Sequence, residues 1–387
     1  MKHVLPHAAA HGSAPLFPWR PPANRLTAFN LLRAFYLVFW LWPSSALGAD
    51  YGVYTSLNTM TFSEIAPIDQ IVDNEPIDFS NGELIFTYNR FELGFSWKNL
   101  RVGYLARYDY RLEFSEDTAR FYFEEEGAGV RPNSPKNYDV YLDVMHQRSQ
   151  GLIAHYDWQL QDNLKITPSV SLLFANGLLD GRIKGQAQFL GNDIYGGQLK
   201  LDYQYDEDFI FERDLGGEQI RGTGYTFDIA VDWRPSDHWR FHLQTFDLIS
   251  YIHWRDTPRT VAIADAEPEA TDDPFERYKD ASVRGKESTS SFRQRITPRA
   301  QLGTSFHYRN FSIPLELYIE PERVFVFPAI AYSIGRWELA LLAEPRIEAF
   351  GLRVGHPWLS FVFIADRLDY EKAQFFSLGL DLRVPLF

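Results

Sequence analysis

Residues 101–115 read Arg-Val-Gly-Tyr-Leu-Ala-Arg-Tyr-Asp-Tyr-Arg-Leu-Glu-Phe-Ser, and their alternation decides the fold. Every second residue from Val102 to Phe114 (Val102, Tyr104, Ala106, Tyr108, Tyr110, Leu112, Phe114) is apolar or aromatic. Between them stand Arg107, Asp109, Arg111 and Glu113, four charges of alternating sign. A period of two is the signature of a β-strand, whose successive side chains leave opposite faces. At roughly 3.3 Å per residue the stretch spans about 50 Å, far beyond the usual globular strand. Hydrocarbon on one face and a hydrated, charged interior on the other accounts for both features. An edge strand of a large soluble sandwich or cup is the competing reading, and the remainder of the chain decides against it.

The chain has 387 residues, 45% of them hydrophobic and 16% aromatic. Its mean hydropathy of −0.28 excludes a helical membrane bundle, which needs several apolar runs of about 20 residues. Alternating strands leave no such trace. There is no Cys, so disulfides and thiolate metal sites are ruled out. A formal net charge of −13 argues against a nucleic-acid partner.

Residues 1–48 read as an export leader. Lys2, Arg20, Arg25 and Arg33 precede an apolar core, Ala34–Trp42, too short to span a bilayer. Pro43-Ser44-Ser45 breaks that core, and Ala46-Leu47-Gly48 supplies small residues for cleavage before Ala49. Residues 49–387 are then expected to form one domain. Alternating runs recur through it, among them 164–174, 199–206, 225–234, 311–320 and 337–348. The pieces 138–146 and 151–160 share a phase and are read either as two strands or as one, so 14 to 16 strands are expected in all. A phase slip between Leu243 and Phe246 predicts a β-bulge. Tight connections (Lys98–Leu100, Gln161–Asn163, Arg234–His238, Arg309-Asn310, Gly335-Arg336) contrast with long ones at 65–81, 116–137 and 256–292. Trp97, Trp158, Trp233, Trp239 and Trp337 cluster beside the tight turns, where amphipathic rings form an interfacial girdle. The expected fold is therefore all-β, a closed antiparallel transmembrane β-barrel with short periplasmic turns and long extracellular loops.

The last ten residues, Leu378-Gly379-Leu380-Asp381-Leu382-Arg383-Val384-Pro385-Leu386-Phe387, resemble the terminal strand of Gram-negative outer-membrane proteins. In that superfamily the terminal Phe, here Phe387, is the signal read by the barrel-assembly machinery. Phe387 lies out of phase with Phe376, Leu378, Leu380, Leu382, Val384 and Leu386, and Pro385 removes a ladder N–H. The hairpin from Gly222 to Trp233 followed by Trp239-Arg240-Phe241-His242-Leu243 resembles the FadL-type family of hydrophobic-solute channels and their uncharacterised relatives. That resemblance implies a 14-stranded barrel admitting hydrophobic compounds. It implies also an N-terminal hatch, for which only residues 49–81 are available.

If the apolar rows face lipid, the polar rows line a lumen. The candidate lumen and selectivity residues are Arg107, Asp109, Arg111, Glu113, Asp228, Asp232, Arg293, Arg295 and Arg299. Opposed basic and acidic rows in a wet lumen bias which solutes pass. The same charges, paired with each other, would instead fill a barrel that conducts nothing. The acidic loop 256–292 is read as a constriction, a divalent-cation site bridging lipopolysaccharide, or a solvated loop. No cluster has calcium-loop spacing, and no G-x-S-x-G, H-E-x-x-H or Walker motif is present, so no metal, cofactor or catalytic site is expected. The reading is an outer-membrane channel or uptake pore for a small solute, contacting outer-membrane lipid and lipopolysaccharide. A structural or surface-interaction barrel with a plugged lumen is the alternative, and an outer-membrane lipid hydrolase using a strand His is the remote one.

Overall fold

The computed structural model describes residues 51–72, 79–126, 132–191, 194–208, 210–211, 213, 220–266 and 282–386. The leader and Phe387 lie outside them. The chain forms one antiparallel sheet that closes on itself. Eighteen ladder segments reduce to fourteen staves once collinear pieces are joined. In chain order these are β1 (Tyr51–Ser63), β2 (Leu84–Trp97), β3 (Leu100–Phe114), β4 (Lys136–Tyr156 with Trp158–Gln161) and β5 (Leu164–Gly191). Next come β6 (Ile194–Tyr205 with Gly222–Trp233), β7 (Trp239–Phe246 with Ile249–Ala266) and β8 (Ser282–Gln294 with Arg299–Tyr308). Then follow β9 (Phe311–Glu320), β10 (Arg323–Ile334), β11 (Trp337–Glu344), β12 (Ala349–His356), β13 (Leu359–Ala365) and β14 (Phe375–Pro385). Two short helices, α1 (Ile68–Val72) and α2 (Glu116–Glu126), sit in connections. The joining is dictated by the ladder: along β5, Leu179 pairs with Tyr205 and Ala175 with Gly222, so both halves of β6 continue one line.

Closure is made by β1 on β14, from Gly52 opposite Pro385 to Phe62 opposite Phe375. Fourteen is even, and Tyr51 meets Leu386 at the rim that carries the tight turns expected from sequence (Leu386 N–H to Tyr51 O, 2.8 Å), while the opposite rim adds short turns at 321–322 and 345–348. Lys98, Arg309 and Gly335 adopt positive φ at three of those turns, the geometry that two-residue hairpins need. Trp97, Trp158, Trp233, Trp239 and Trp337 are all exposed at this rim.

Above the rim the outward face is an apolar belt including Leu93, Phe95 (70% exposed), Val102, Leu152, Leu172 and Leu341. On β3 it runs from Leu100 to about Tyr108, about 26 Å of strand, the height of a barrel's lipid-facing band. The apolar row of 101–115 does not all face lipid. Its upper part, Tyr110, Leu112 and Phe114, is buried under α2 and the β1–β2 connection, with Ile65, Ala119 and Tyr122 as neighbours. Strand alternation reports the face but not what covers it.

The sheet is taller on one side. The β3–β4 pairing ends at Phe114 opposite Leu142, and β8–β9 pairing ends at Ala300 opposite Ile319. Above those levels β4 to β8 continue as a five-stave fin, reaching Gly191 on β5 and Ala266 on β7. The stretch 256–292, expected as a loop, is therefore strand at both ends, Asp256–Ala266 and Ser282–Phe292. Four staves are irregular at one level, where wall becomes fin. These are the bulge between Arg148 and Ser149 opposite Asn176, the gap in β6, and a register shift between Trp254 and Thr257 on β7. The phase slip expected between Leu243 and Phe246 is realised just beyond, at Asp247-Leu248. The outer edge of β4 in the fin is capped by the start of α2. Thr118 Oγ1 accepts from Tyr141 N–H at 2.9 Å, and Asp117 accepts from Asp139 N–H at 3.0 Å.

The lumen is not uniformly hydrated. Phe62, Phe86, Tyr88, Phe325, Phe327 and Phe375 point inward from β1, β2, β10 and β14 and form an aromatic core in its upper part. Phe62 meets Phe325 edge-on at 5.1 Å, and Phe325 meets Phe375 at 5.5 Å.

Candidate functional site: a charged layer across the lumen

Inward positions at mid-height carry charges from staves that are not neighbours, and these charges meet. Arg107 on β3 grips Asp247, in the break of β7, with Nη1 to Oδ1 at 2.6 Å and Nη2 to Oδ2 at 2.8 Å. The Nη2 atom also donates to Asp109 Oδ2 at 2.6 Å. Arg299 on β8 donates to Asp247 Oδ2 at 3.1 Å and lies over the Tyr88 ring at 3.7 Å. Asp247 has φ +58, a left-handed conformation that Asp tolerates better than most residues. That conformation presents its backbone N–H to Asp228 Oδ1 at 2.8 Å.

Two further groups flank this centre. Arg90 on β2 crosses the barrel to Asp228 on β6 (Nη1 to Oδ2, 2.9 Å) and reaches its own neighbour Glu92 at 2.8 Å. Glu92 also contacts His155 Nε2 at 2.9 Å, and His155 Nδ1 contacts Ser169 Oγ at 2.7 Å. Ser169 is 4% exposed, and Ser169, His155 and Glu92 together line the space below the layer, so this Ser–His–Glu relay forms part of its wall. On the upper side Arg111 donates to Glu320 on β9 at 2.9 Å, and the Tyr88 hydroxyl donates to the same oxygen at 2.7 Å. The side chains of Arg107, Asp109, Asp228, Asp247 and Glu320 are between 0% and 1% exposed. Charges so buried persist only because each is paired and hydrogen-bonded.

Among the lumen residues expected from sequence, the structure brings Arg107, Asp109, Arg111, Asp228 and Arg299 into this layer. Glu113 lies at its upper margin, bonded to Arg111 at 2.9 Å. Asp232 lies below, bonded to Lys165 at 3.0 Å and His242 at 2.8 Å. Arg293 and Arg295 do not belong to it. Both are exposed, and the inward positions beside them are Gln294 and Ile296. The cause is local: residues 295–298 leave the ladder at Pro298, which lacks a donor, and the strand resumes one residue out of phase at Arg299. Sequence reading missed Asp247, Glu320, Arg90, Glu92 and His155. The phase slip before Asp247 was the available signal, since a polar residue at a bulge is re-aimed.

Below the layer the lumen is hollow. Two adjoining spaces of about 360 and 390 Å³ share Asn58, Asp232, His242, Gln301, Ser360 and Asp381 in their walls. This chamber lies on the tight-turn side of the layer.

No protein-family model matches the chain, and no curated protein matches it. Among solved structures, the TodX deltaS2S3 mutant monoaromatic hydrocarbon channel is 8% identical with a TM-score of 0.40, covering 88% of this chain and 91% of that one. The P. putida toluene transporter TodX gives 9% and 0.36 over 88% and 91%. A Pseudomonas aeruginosa FadL homologue gives 8% and 0.26 over 87% and 91%. At these identities and scores the likenesses carry no argument, and the assignment rests on the ladder and surface of the chain itself. By those, it is a closed, all-β barrel of the outer-membrane kind, crossed at mid-height by paired charges and hollow below them.

Proposed function

We infer that this barrel is a gated passage for a small solute, held shut in this conformation by the charged layer. It sits in the outer membrane of a Gram-negative cell with the tight turns in the periplasm, its belt against lipid and lipopolysaccharide. Export by the leader and insertion by the barrel-assembly machinery belong to the same reading. The observation that carries it is the join of a hollow polar chamber to a transverse set of ion pairs. Opening the route then requires these pairs to take other partners and the aromatic core above them, around Phe62 and Phe325, to move aside. Acidic and basic partners from facing staves also set a field across the route, which selects among solutes once it opens.

A plugged structural barrel is the second reading, and the completeness of burial at Arg107 and Asp247 favours it. Planar-bilayer recording separates the two. The passage reading expects rare openings in the wild type and frequent stepwise openings in an Arg107→Ala, Asp247→Ala variant. Silence of both proteins at every voltage, with folding verified by heat-modifiable mobility, would favour the plug.

A further inference from the structure

The lower chamber has an excess of positive charge in a protein that is acidic as a whole. Seven Lys and Arg residues line its two spaces against four carboxylates, although the chain carries 38 basic and 51 acidic residues. The carboxylates are mostly engaged. Glu92 is held by Arg90 and His155, Asp232 by Lys165 and His242, and Glu316 by Arg353. Asp381 shares its strand face with Arg383. Arg383 makes no ion pair within 4 Å among the described residues, and neither do Arg234 and Arg240.

One corner of the chamber also holds donors with nothing to donate to. Tyr54 is 3% exposed, and its hydroxyl has no hydrogen-bond partner. Arg101 donates through Nη2 to Asp157 at 3.2 Å, but its Nε is likewise buried and unpartnered, and its guanidinium stands 5.7 Å from the Tyr54 ring. The ring is fitted to its place: Cβ atoms on Gly94 and Gly103 would meet Tyr54 at 2.8 and 2.5 Å. Those glycines are opposite each other on β2 and β3, so the wall is thinned where the ring lies. Buried donors without acceptors are rare in folded proteins, and hydroxyl and guanidinium donors converging beside free positive charge suit an anionic oxygen acceptor.

We propose that Tyr54, Arg101 and Arg383 form a binding site for a small oxyanion, a carboxylate or a phosphate, at the periplasmic end of the lumen. The site does not require the barrel to open, because the chamber lies below the charged layer. Its failure and the failure of the passage reading are therefore independent.

The test is calorimetric titration of the mature barrel in neutral detergent and chloride-poor buffer. The probes are propionate, inorganic phosphate and, as a cation of similar size, propylammonium. Propionate or phosphate is expected to bind with a strength that falls as salt rises, while propylammonium does not. Arg383→Gln should weaken the anion at least tenfold, and Tyr54→Phe several-fold, with heat-modifiable mobility unchanged. Which of the two anions binds more tightly distinguishes a carboxylate solute from a phosphate. Equal or tighter binding of propylammonium overturns the proposal. So does absence of anion binding, or an anion isotherm that folded Arg383→Gln and Tyr54→Phe both leave unaltered.

Discussion

Arg107 and Asp247, 140 residues apart in the chain, face each other across the lumen with two parallel hydrogen bonds and no exposed side-chain surface. Their pairing ties β3 to the break in β7, which no backbone ladder connects. Removing Arg107 leaves Asp109 buried without an ion pair among the described residues, while Asp247 keeps Arg299 at 3.1 Å. Arg107→Ala is expected to lower stability by about 3–5 kcal/mol. Replacing both, as Arg107→Leu with Asp247→Leu, should cost clearly less than the two single changes summed. A double-mutant cycle on urea unfolding in lipid vesicles measures the difference.

Leu341 is 70% exposed and lies four residues above the Trp337 girdle, near the middle of the apolar belt. Leu341→Arg places a charge against lipid and should destabilise the barrel by about 2–4 kcal/mol. Gln301→Arg, which points into the chamber, should cost far less. The contrast is read in the same vesicle unfolding assay.

Gly103 is fixed by its neighbours. An added methyl would sit 2.7 Å from Leu93 O and 3.1 Å from Gly94 Cα as well as against the Tyr54 hydroxyl, and the first two are backbone of the wall that cannot yield. Gly103→Ala should cost about 1–3 kcal/mol. It should also displace the Tyr54 ring, seen as loss of its nuclear Overhauser contacts to His155, which it now meets edge-on at 6.0 Å.

Asp206 follows the upper half of β6, outside the belt, and accepts from Leu178 N–H at 2.9 Å. Burial pushes its carboxyl above the ordinary Asp range. The folded protein then holds this proton more tightly than the unfolded chain does. Its contribution to stability therefore rises as pH falls from neutral through the folded pKa, and levels off below the unfolded value. Asp206→Asn should flatten the part of the melting-temperature profile that lies above the ordinary Asp pKa of about 4, with the remaining carboxylates supplying the slope common to both proteins.

Much of the fold was legible because strand alternation and turn chemistry are local. Residues 101–115 show their two faces, and Lys98-Asn99 and Gly335-Arg336 mark hairpins without reference to anything distant. The lumen was legible only in part. Arg107, Asp109, Asp228 and Arg299 lie on clean strands, so their direction follows from parity. Arg293 and Arg295 have the same parity as Arg299, yet a break at Pro298 separates them, and parity does not survive a break. The aromatic core was hidden for another reason. Val324-Phe325-Val326-Phe327 is apolar on both faces, and alternation is silent where lipid and lumen ask for the same chemistry. Which charge meets which across a barrel depends on stave order and curvature, and no window of sequence contains those.

The irregularities shared by β4, β5, β6 and β7 at one height act as a score line in the sheet. Ladder bonds are intact on either side of it, but β8 passes that height as one unbroken strand, Ser282–Gln294. Wall and fin are also joined there by the core under α2, which takes in Phe114 of β3 and Tyr138 and Val140 of β4. The score line is thus bridged at two places, and the fin stands as a fixed extension of the wall rather than a flap.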